Sequence, residues 1–336
     1  MVLHVNTIES GYDIILSRGA LDKASCYFNL DRKVIIITDS GVPKEYARTV
    51  KDQCKEAYIY TLPQGEQSKS IDNYIKALQF LVEHGMTRTD CVVAVGGGVV
   101  GDFSGFVAST YMRGIDFYNI PTTFLSQVDS SIGGKVAIDF MGVKNIVGSF
   151  YQPKGVLIDS NTLKTLDKRQ LHAGLCESIK MAATSDKELF ELIENSKDLD
   201  LDLDTIIEKS LVIKRDVVEK DPKEKGLRRV LNFGHTIGHG IESKYGLKGY
   251  LHGECVGMGM LPMCSESAKQ RIKALLNKYQ IPCDIDLSKV EIMDYIKKDK
   301  KASGSQITIV YVEELGTFEL KKIDIDEIQE YIKRGL

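Results

Sequence analysis

Short apolar, β-branched runs recur through the first half of the chain: KVIIIT at 33–38, AYIYTL at 57–62, CVVAVGGG at 91–98, FYNIP at 117–121 and GVLID at 155–159. Helical or loop segments separate them, and such alternation predicts a parallel sheet with crossover helices. From about Leu163 onward the texture changes to long amphipathic patterns, with charged stretches such as DLDLDLDTIIEKSLVIKRDVVEKDPKEKG between them. A mainly helical second domain is therefore expected, with QITIVYV at 306–312 as a late hairpin or edge strand. The predicted layout is a Rossmann-like α/β domain over 1–165 and a mainly α-helical domain over 166–336. Neither internal repeats nor low-complexity tracts interrupt it.

Length supports the division, because 336 residues exceed what one domain usually holds. A net charge of -3 leaves no basic excess for nucleic acid or a membrane surface, so an anionic substrate must be met by local basic residues. The seven cysteines are odd in number and form no C-x-x-C pair, which argues against a disulfide framework and a cysteine zinc site and suits a reducing cytoplasm. The N-terminal MVLHVNTIESGYDIIL lacks a basic segment followed by an apolar one, and no apolar run approaches the ~20 residues that span a bilayer. Neither export nor membrane insertion is expected.

The first candidate chemistry is AVGGGVVGDFSG at 94–105, glycines that close an apolar strand and open a helix. Their backbone N–H groups can face a pyrophosphate at the helix N-terminus, and they equally fit a tight turn, since the usual G-x-G-x-x-G is absent. A polar turn, PQGEQSKS at 63–70, follows another strand and can add contacts at the same sheet edge. The block PTTFLSQVDSSIGGKVAIDFMGVKN at 121–145 has little amphipathic pattern and reads as a long irregular loop, a class that is often functional. Its glycine pair beside Lys135 favours close approach of an anion.

In the helical half, GLCESIKMA at 174–182 puts Glu177 and Lys180 three apart on one helical face, a spacing that by itself describes a surface ion pair. The histidines are less ordinary. Of six in the chain, His235, His239 and His252 fall within eighteen positions, and His235 and His239 stand four apart in LNFGHTIGHG. That spacing can present two imidazoles to one metal, although core histidines satisfied by hydrogen bonds are the plainer alternative. H-E-x-x-H is absent, so a metalloprotease lacks its general base.

Taken in order and spacing, GGGVVGDFSG, PTTFLSQVDSSIGGK, KN, ESIK, RVLNFGHTIGHGIE, HGECVGMGM and DKK resemble the 3-dehydroquinate synthase family over nearly the whole chain. LCESIK departs from the LAEVIK common among relatives while keeping Glu177 and Lys180. The resemblance implies a dehydroquinate synthase-like fold. It also implies a lyase of the shikimate pathway that converts the seven-carbon sugar acid DAHP to 3-dehydroquinate and phosphate, with NAD recycled in each turnover.

By the family's pattern, Glu177, His235 and His252 hold a divalent metal, zinc or cobalt, while His239 faces the substrate. Asp129, Lys135, Asn145, Lys180, Lys214, Arg228, Asn232 and one of the paired lysines Lys300 and Lys301, with Lys301 preferred, join His239 around the substrate. NAD is expected at Gln64, Gly65, Glu66, Gln67, Ser68 and Lys69, and at Gly98, Val99, Val100, Gly101 and Asp102. Thr122, Thr123, Lys135, Lys144, Thr162, Leu163, Lys164 and Thr165 complete that set. The resemblance further implies a cytoplasmic homodimer. Iron-containing alcohol and glycerol dehydrogenases share the two-domain pattern, but DSSIGGK and the lysine set go unexplained by a simple dehydrogenase. A sister sugar-phosphate cyclase is the other alternative, against which Asn145, Asn232 and His239 keep the dehydroquinate synthase choice.

Overall fold

The computed structural model describes residues 1–7, 11–224, 226–246, 249–284, 292–300 and 305–334. The chain forms two compact units, Met1–Leu166 and Asp167–Leu336.

In the first unit the apolar runs become β3 (Lys33–Asp39), β4 (Glu56–Leu62), β5 (Cys91–Gly96), β6 (Asp116–Pro121) and β9 (Gly155–Ile158). They belong to a seven-stranded sheet ordered β1-β2-β9-β6-β5-β3-β4, with β1 (Val2–Val5) and β2 (Tyr12–Leu16) completing one edge. Neighbours pair in parallel from β2 to β4, and only β1 with β2 is antiparallel. Every residue of β5 is buried, as expected of a central parallel strand covered on both faces. Alternate residues of β3 serve the two cores, Ile35 and Ile37 on one face and Val34 and Ile36 on the other. The helices are α1 (Ala24–Tyr27), α2 (Lys44–Lys51), α3 (Ile71–Glu83) and α4 (Gly98–Thr110). From β3 the chain steps out to β4 and then returns to place β5 on the other side of β3. The strand order thus reverses at β3 and β5, and in open α/β sheets ligands bind outside the carboxyl ends of strands at such a point.

Residues 121–145 are more regular than their sequence suggests. A helical turn at Ser126–Ser130 leads into a separate antiparallel hairpin of β7 (Lys135–Phe140) and β8 (Val143–Phe150). β8 is exposed along nearly its whole length, so it carries no inside–outside alternation to read.

The second unit contains α5 (Lys168–Ser185), α6 (Lys187–Asn195), α7 (Leu199–Lys220), α8 (His235–Tyr245), α9 (His252–Met260), α10 (Glu266–Lys278), α11 (Met293–Lys300) and α12 (Ile328–Arg334). The expected late hairpin is β10 (Gln306–Tyr311) paired antiparallel with β11 (Glu319–Asp324). The charged stretch after Asp198 is not a connector, because it forms α7, a helix of 22 residues. Its N-cap Asp198 accepts the Asp200 amide, and Asp200 and Asp202 lie in the first turn, where the helix dipole favours negative charge. Leu203, Ile206, Ile207, Leu211 and Val218 supply the buried stripe.

Helix α5 is buried from Ala173 to Thr184 and is the axis of this unit. Glycines let its neighbours approach backbone to backbone. A Cβ at Gly253 of α9 would lie 1.8 Å from the Ala173 carbonyl oxygen of α5, and one at Gly259 would lie 2.1 Å from the Gly234 carbonyl oxygen ahead of α8. Among the described residues no helix is long and apolar enough to cross a membrane, and none of the seven cysteines forms a disulfide.

Candidate active site

The residues expected to meet NAD gather at the carboxyl ends of the parallel strands. Gln64 to Lys69 follow β4, Gly98 to Asp102 form the first turn of α4 directly after β5, Thr122 and Thr123 follow β6, and Thr162 to Thr165 follow β9. Gly97 caps α4 without a side-chain hydrogen bond, so the first amides of that helix keep the orphan donors that anions seek. Side chains leave little room there: a Cβ at Gly97 would sit 3.0 Å from Thr123 Cγ2, and one at Gly98 3.0 Å from Ser130 Oγ. Gln127 joins two of the loops, donating from Nε2 to the Pro121 carbonyl and to Thr162 Oγ1, each at 3.1 Å.

Lys69 is the buried cation of this end. Its Nζ donates to Asp102 Oδ2 at 2.7 Å and to Asn145 Oδ1, tying the turn after β4 to α4 and to the β7–β8 hairpin. Burial works against the Lys69 charge, but Asp102 and Glu66 outweigh it and hold the ammonium above its ordinary value. Asn145 adopts a positive φ of 53° and donates its amide to Asp139 Oδ1 at 2.9 Å. Lys135 opens β7, and Lys144 lies exposed on β8. Asp129 is half-buried in the turn before the hairpin. Asp39, at the carboxyl end of β3 beside the reversal, was not anticipated; its sequence signal is a carboxylate closing the apolar run IIITD. Burial raises its carboxyl above the ordinary value despite the Gly41 and Val42 amides.

In the second unit, close packing of α5, α8 and α9 brings Glu177, His235, His239 and His252 together. One ring nitrogen of each histidine lies within 4.8 Å of those of the other two. Glu177 Oε1 stands 3.9 Å from His235 Nε2 and 3.8 Å from His252 Nε2. Lys180 Nζ donates to the other carboxylate oxygen. This is not a surface ion pair, since both side chains are only 2% exposed. Among the described residues Glu177 Oε1 has no hydrogen-bond partner, so a buried carboxylate oxygen faces two imidazole nitrogens without a hydrogen bond to satisfy it. Burial first, then Lys180, His252 and His239, hold the His235 pKa well below its ordinary value and keep the ring neutral. For His252 burial also lowers the pKa, but the Glu242 hydrogen bond and the charge of Glu177 outweigh it and raise it. A buried carboxylate flanked by imidazoles is the donor set of an open-position zinc site.

The start of α9, and with it His252, is fixed by Glu254. That buried carboxylate accepts the Leu251 amide at 2.8 Å and a fork from Arg169 of α5 at 2.7 and 2.8 Å. The departure in LCESIK is absorbed by packing, because Ser178 shares a buried 2.8 Å hydroxyl bond with Ser210 of α7. Lys214 is buried on α7. Arg228 and Asn232 lie on a short 3₁₀ turn, Leu227–Asn232, not on an α-helix. Arg228 is buried and donates to the Pro222 carbonyl at 2.8 Å, and Asn232 Nδ2 donates to Glu224 Oε1 at 2.9 Å. Glu224, at φ 56°, and Glu242 were not singled out in the sequence. Lys301 lies outside the described residues, as do the side-chain surroundings of Lys300.

Comparison with known proteins identifies the family. A family model described as "3-dehydroquinate synthase N-terminal" matches residues 59–173, and one described as "3-dehydroquinate synthase C-terminal" matches 174–302. The chain is 42% identical over 354 residues to 3-dehydroquinate synthase of Enterococcus faecalis (strain ATCC 47077 / OG1RF), covering 99% of each. It is 41% identical to that of Streptococcus mutans serotype c, covering 99% of this chain and 100% of the relative. Among solved structures, 2-deoxy-scyllo-inosose synthase complexed with carbaglucose-6-phosphate, NAD+ and Co2+ superimposes with a TM-score of 0.90 at 26% identity, covering 100% of both chains. Whole-chain identity is thus far higher to the dehydroquinate synthases than to this sister cyclase, and the chain belongs to the 3-dehydroquinate synthase family.

Proposed function

We propose that Glu177, His235 and His252 hold the divalent metal of a 3-dehydroquinate synthase, and that the strand ends of the first unit hold its NAD. The family's reaction converts DAHP to 3-dehydroquinate with release of phosphate, and oxidation and reduction cancel within one turnover. The observation that carries the metal assignment is the unpartnered Glu177 Oε1, buried and 3.8–3.9 Å from two imidazole nitrogens.

A bound divalent ion supplies Lewis acidity to substrate oxygens, and bound NAD supplies a hydride acceptor that is regenerated before the product leaves. The protein's own groups do the remainder. Gly98 to Val100 offer amides to the cofactor's pyrophosphate at the start of α4, and Lys69 with Asp102 fixes that turn against the hairpin. Lys180 restrains one oxygen of Glu177 and adds positive charge beside the histidines. His239, on the same face of α8 as His235, is placed to exchange a proton with a substrate hydroxyl. Lys214 and Arg228 bring buried positive charge suited to carboxylate and phosphate, and Lys135, exposed at the start of β7, and Lys301 are assigned to the same anionic groups. Asn145, Asn232 and Asp129 orient hydroxyl groups. A cytoplasmic homodimer is part of the same reading, supported for the compartment by seven cysteines outside any disulfide and tested by light scattering for the assembly.

Incubation of the protein with DAHP, zinc and substoichiometric NAD tests the function. Phosphate release over many turnovers per NAD, without rising NADH absorbance, is the expected result. NADH accumulating in proportion to substrate consumed would mean a simple dehydrogenase.

A further inference from the structure

Helix α8 carries more of the histidine site than its two imidazoles. His235, His239 and Glu242 stand at i, i+4 and i+7, one stripe of the helix, and the stripe faces the start of α9. At its end Glu242 Oε2 lies 3.0 Å from His252 Nδ1. His235 Nδ1 is engaged in turn by the Phe233 carbonyl at 3.2 Å. A carbonyl and a carboxylate only accept, so in both rings Nδ1 carries a hydrogen, and in the neutral ring Nε2 keeps its lone pair. Those two Nε2 atoms are the ones 3.9 and 3.8 Å from Glu177 Oε1.

From this we infer that Glu242 is a positioning residue: it fixes the tautomer and ring orientation of His252 and so sets the affinity of the site for a divalent cation. The inference rests on the metal assignment proposed above. The two rings are held differently. His235 begins α8 and is braced by a backbone carbonyl two residues before it, which no side-chain substitution removes. His252 is half-exposed at the first position of α9, and its brace is a charged side chain from another helix. A carboxylate behind a ligating imidazole also makes the ring a stronger donor, and losing such a partner costs roughly 10–100-fold in metal affinity.

Zinc affinity of the full-length protein, measured by competition with a chromophoric chelator, tests this in Glu242→Ala, Glu242→Gln and His252→Ala. Proton–nitrogen correlation spectra of the histidine rings in the metal-free protein supply a readout independent of turnover. Glu242→Ala should bind zinc roughly 10–100-fold more weakly and lose the single Nδ1–H form of His252. Glu242→Gln, whose amide oxygen still accepts from Nδ1, should keep that form and recover part of the affinity. Glu242→Ala with zinc affinity within twofold of the parent, or with an unchanged His252 tautomer, overturns the inference. If His252→Ala also keeps its zinc, the metal assignment has failed instead, so the two failures are distinguishable.

Discussion

Lys180 donates to one carboxylate oxygen of Glu177 while the other oxygen of the same carboxylate faces His235 and His252. The lysine therefore balances a buried charge whose second half the proposed metal would meet. Lys180→Met should cost the metal-free protein on the order of 3–5 kcal/mol, because one partner of a buried pair is removed. Saturating zinc should recover part of that loss by taking over the compensation. Urea unfolding with and without zinc measures both, and an equal loss in the two conditions would reduce Lys180 to a structural role.

Glu177→Ala, His235→Ala and His252→Ala should each lose bound metal and turnover together and remain folded, since α5, α8 and α9 have their own packed core. His239→Ala should lose turnover and keep the metal. One ring nitrogen of each of the three imidazoles lies within 4.8 Å of the others, so metal content in His239→Ala against His252→Ala decides their roles. Stoichiometric zinc in His252→Ala would refute the ligand set.

Gly259→Ala tests the helix contact beneath the site. Its Cβ would meet the Gly234 carbonyl at 2.1 Å, and a backbone oxygen cannot rotate away. A loss of at least about 1–3 kcal/mol is expected, with weaker metal binding as α9 is pushed from α8. Unchanged melting and zinc affinity would show that the contact is not tight.

Arg228 is buried on its 3₁₀ turn and assigned to an anionic group of the substrate. Arg228→Ala should lower kcat/KM by a factor equivalent to about 2–5 kcal/mol, leave zinc content unchanged, and weaken a phosphonate substrate mimic more than NAD. Parent-like binding of the mimic removes Arg228 from the substrate pocket.

Asp39 gives a pH test with a definite sign. Burial raises its carboxyl above 3.8, so the folded state binds the proton more tightly than the unfolded one. Its contribution to stability falls as pH rises from 3.8 through the folded value, then stays at the lower level. Asp39→Asn should therefore be more stable than the parent at pH 7, with the difference shrinking below the ordinary carboxyl range. A carboxylate kept there at a cost suits ribose hydroxyls at the reversal of strand order, so NAD affinity should fall in the same variant. A stability difference independent of pH would contradict the argument.

The central sheet was legible because β3, β5, β6 and β9 are buried nearly throughout and read as apolar runs, with β4 as a half-buried edge strand beside them. The β7–β8 hairpin was not, since Val143, Ile146 and Phe150 are exposed and leave no alternation. Helix α7 was obscured by DLDLDLD, whose period of two imitates a strand until the cap at Asp198 and the later buried stripe are considered together. The histidines and Glu177 were visible as motifs. Their partners were not: Glu242 matters because α9 lies against α8, and the burial of Lys180 depends on the whole of α5 being enclosed. Residue types announced the chemistry, and only packing could say which atoms meet.

The glycine contacts that press α9 onto α5 and α8 also link folding to nutrition. If Glu177, His235 and His252 are its ligands, an ion bound there clamps three helices as a unit, and each tenfold rise in free metal above its dissociation constant adds about 1.4 kcal/mol to the folded state. A cell short of zinc would then hold enzyme that is idle and also more often unfolded, and unfolded chains are what proteases consume. Metal supply would set how long this protein lasts as well as how fast it works.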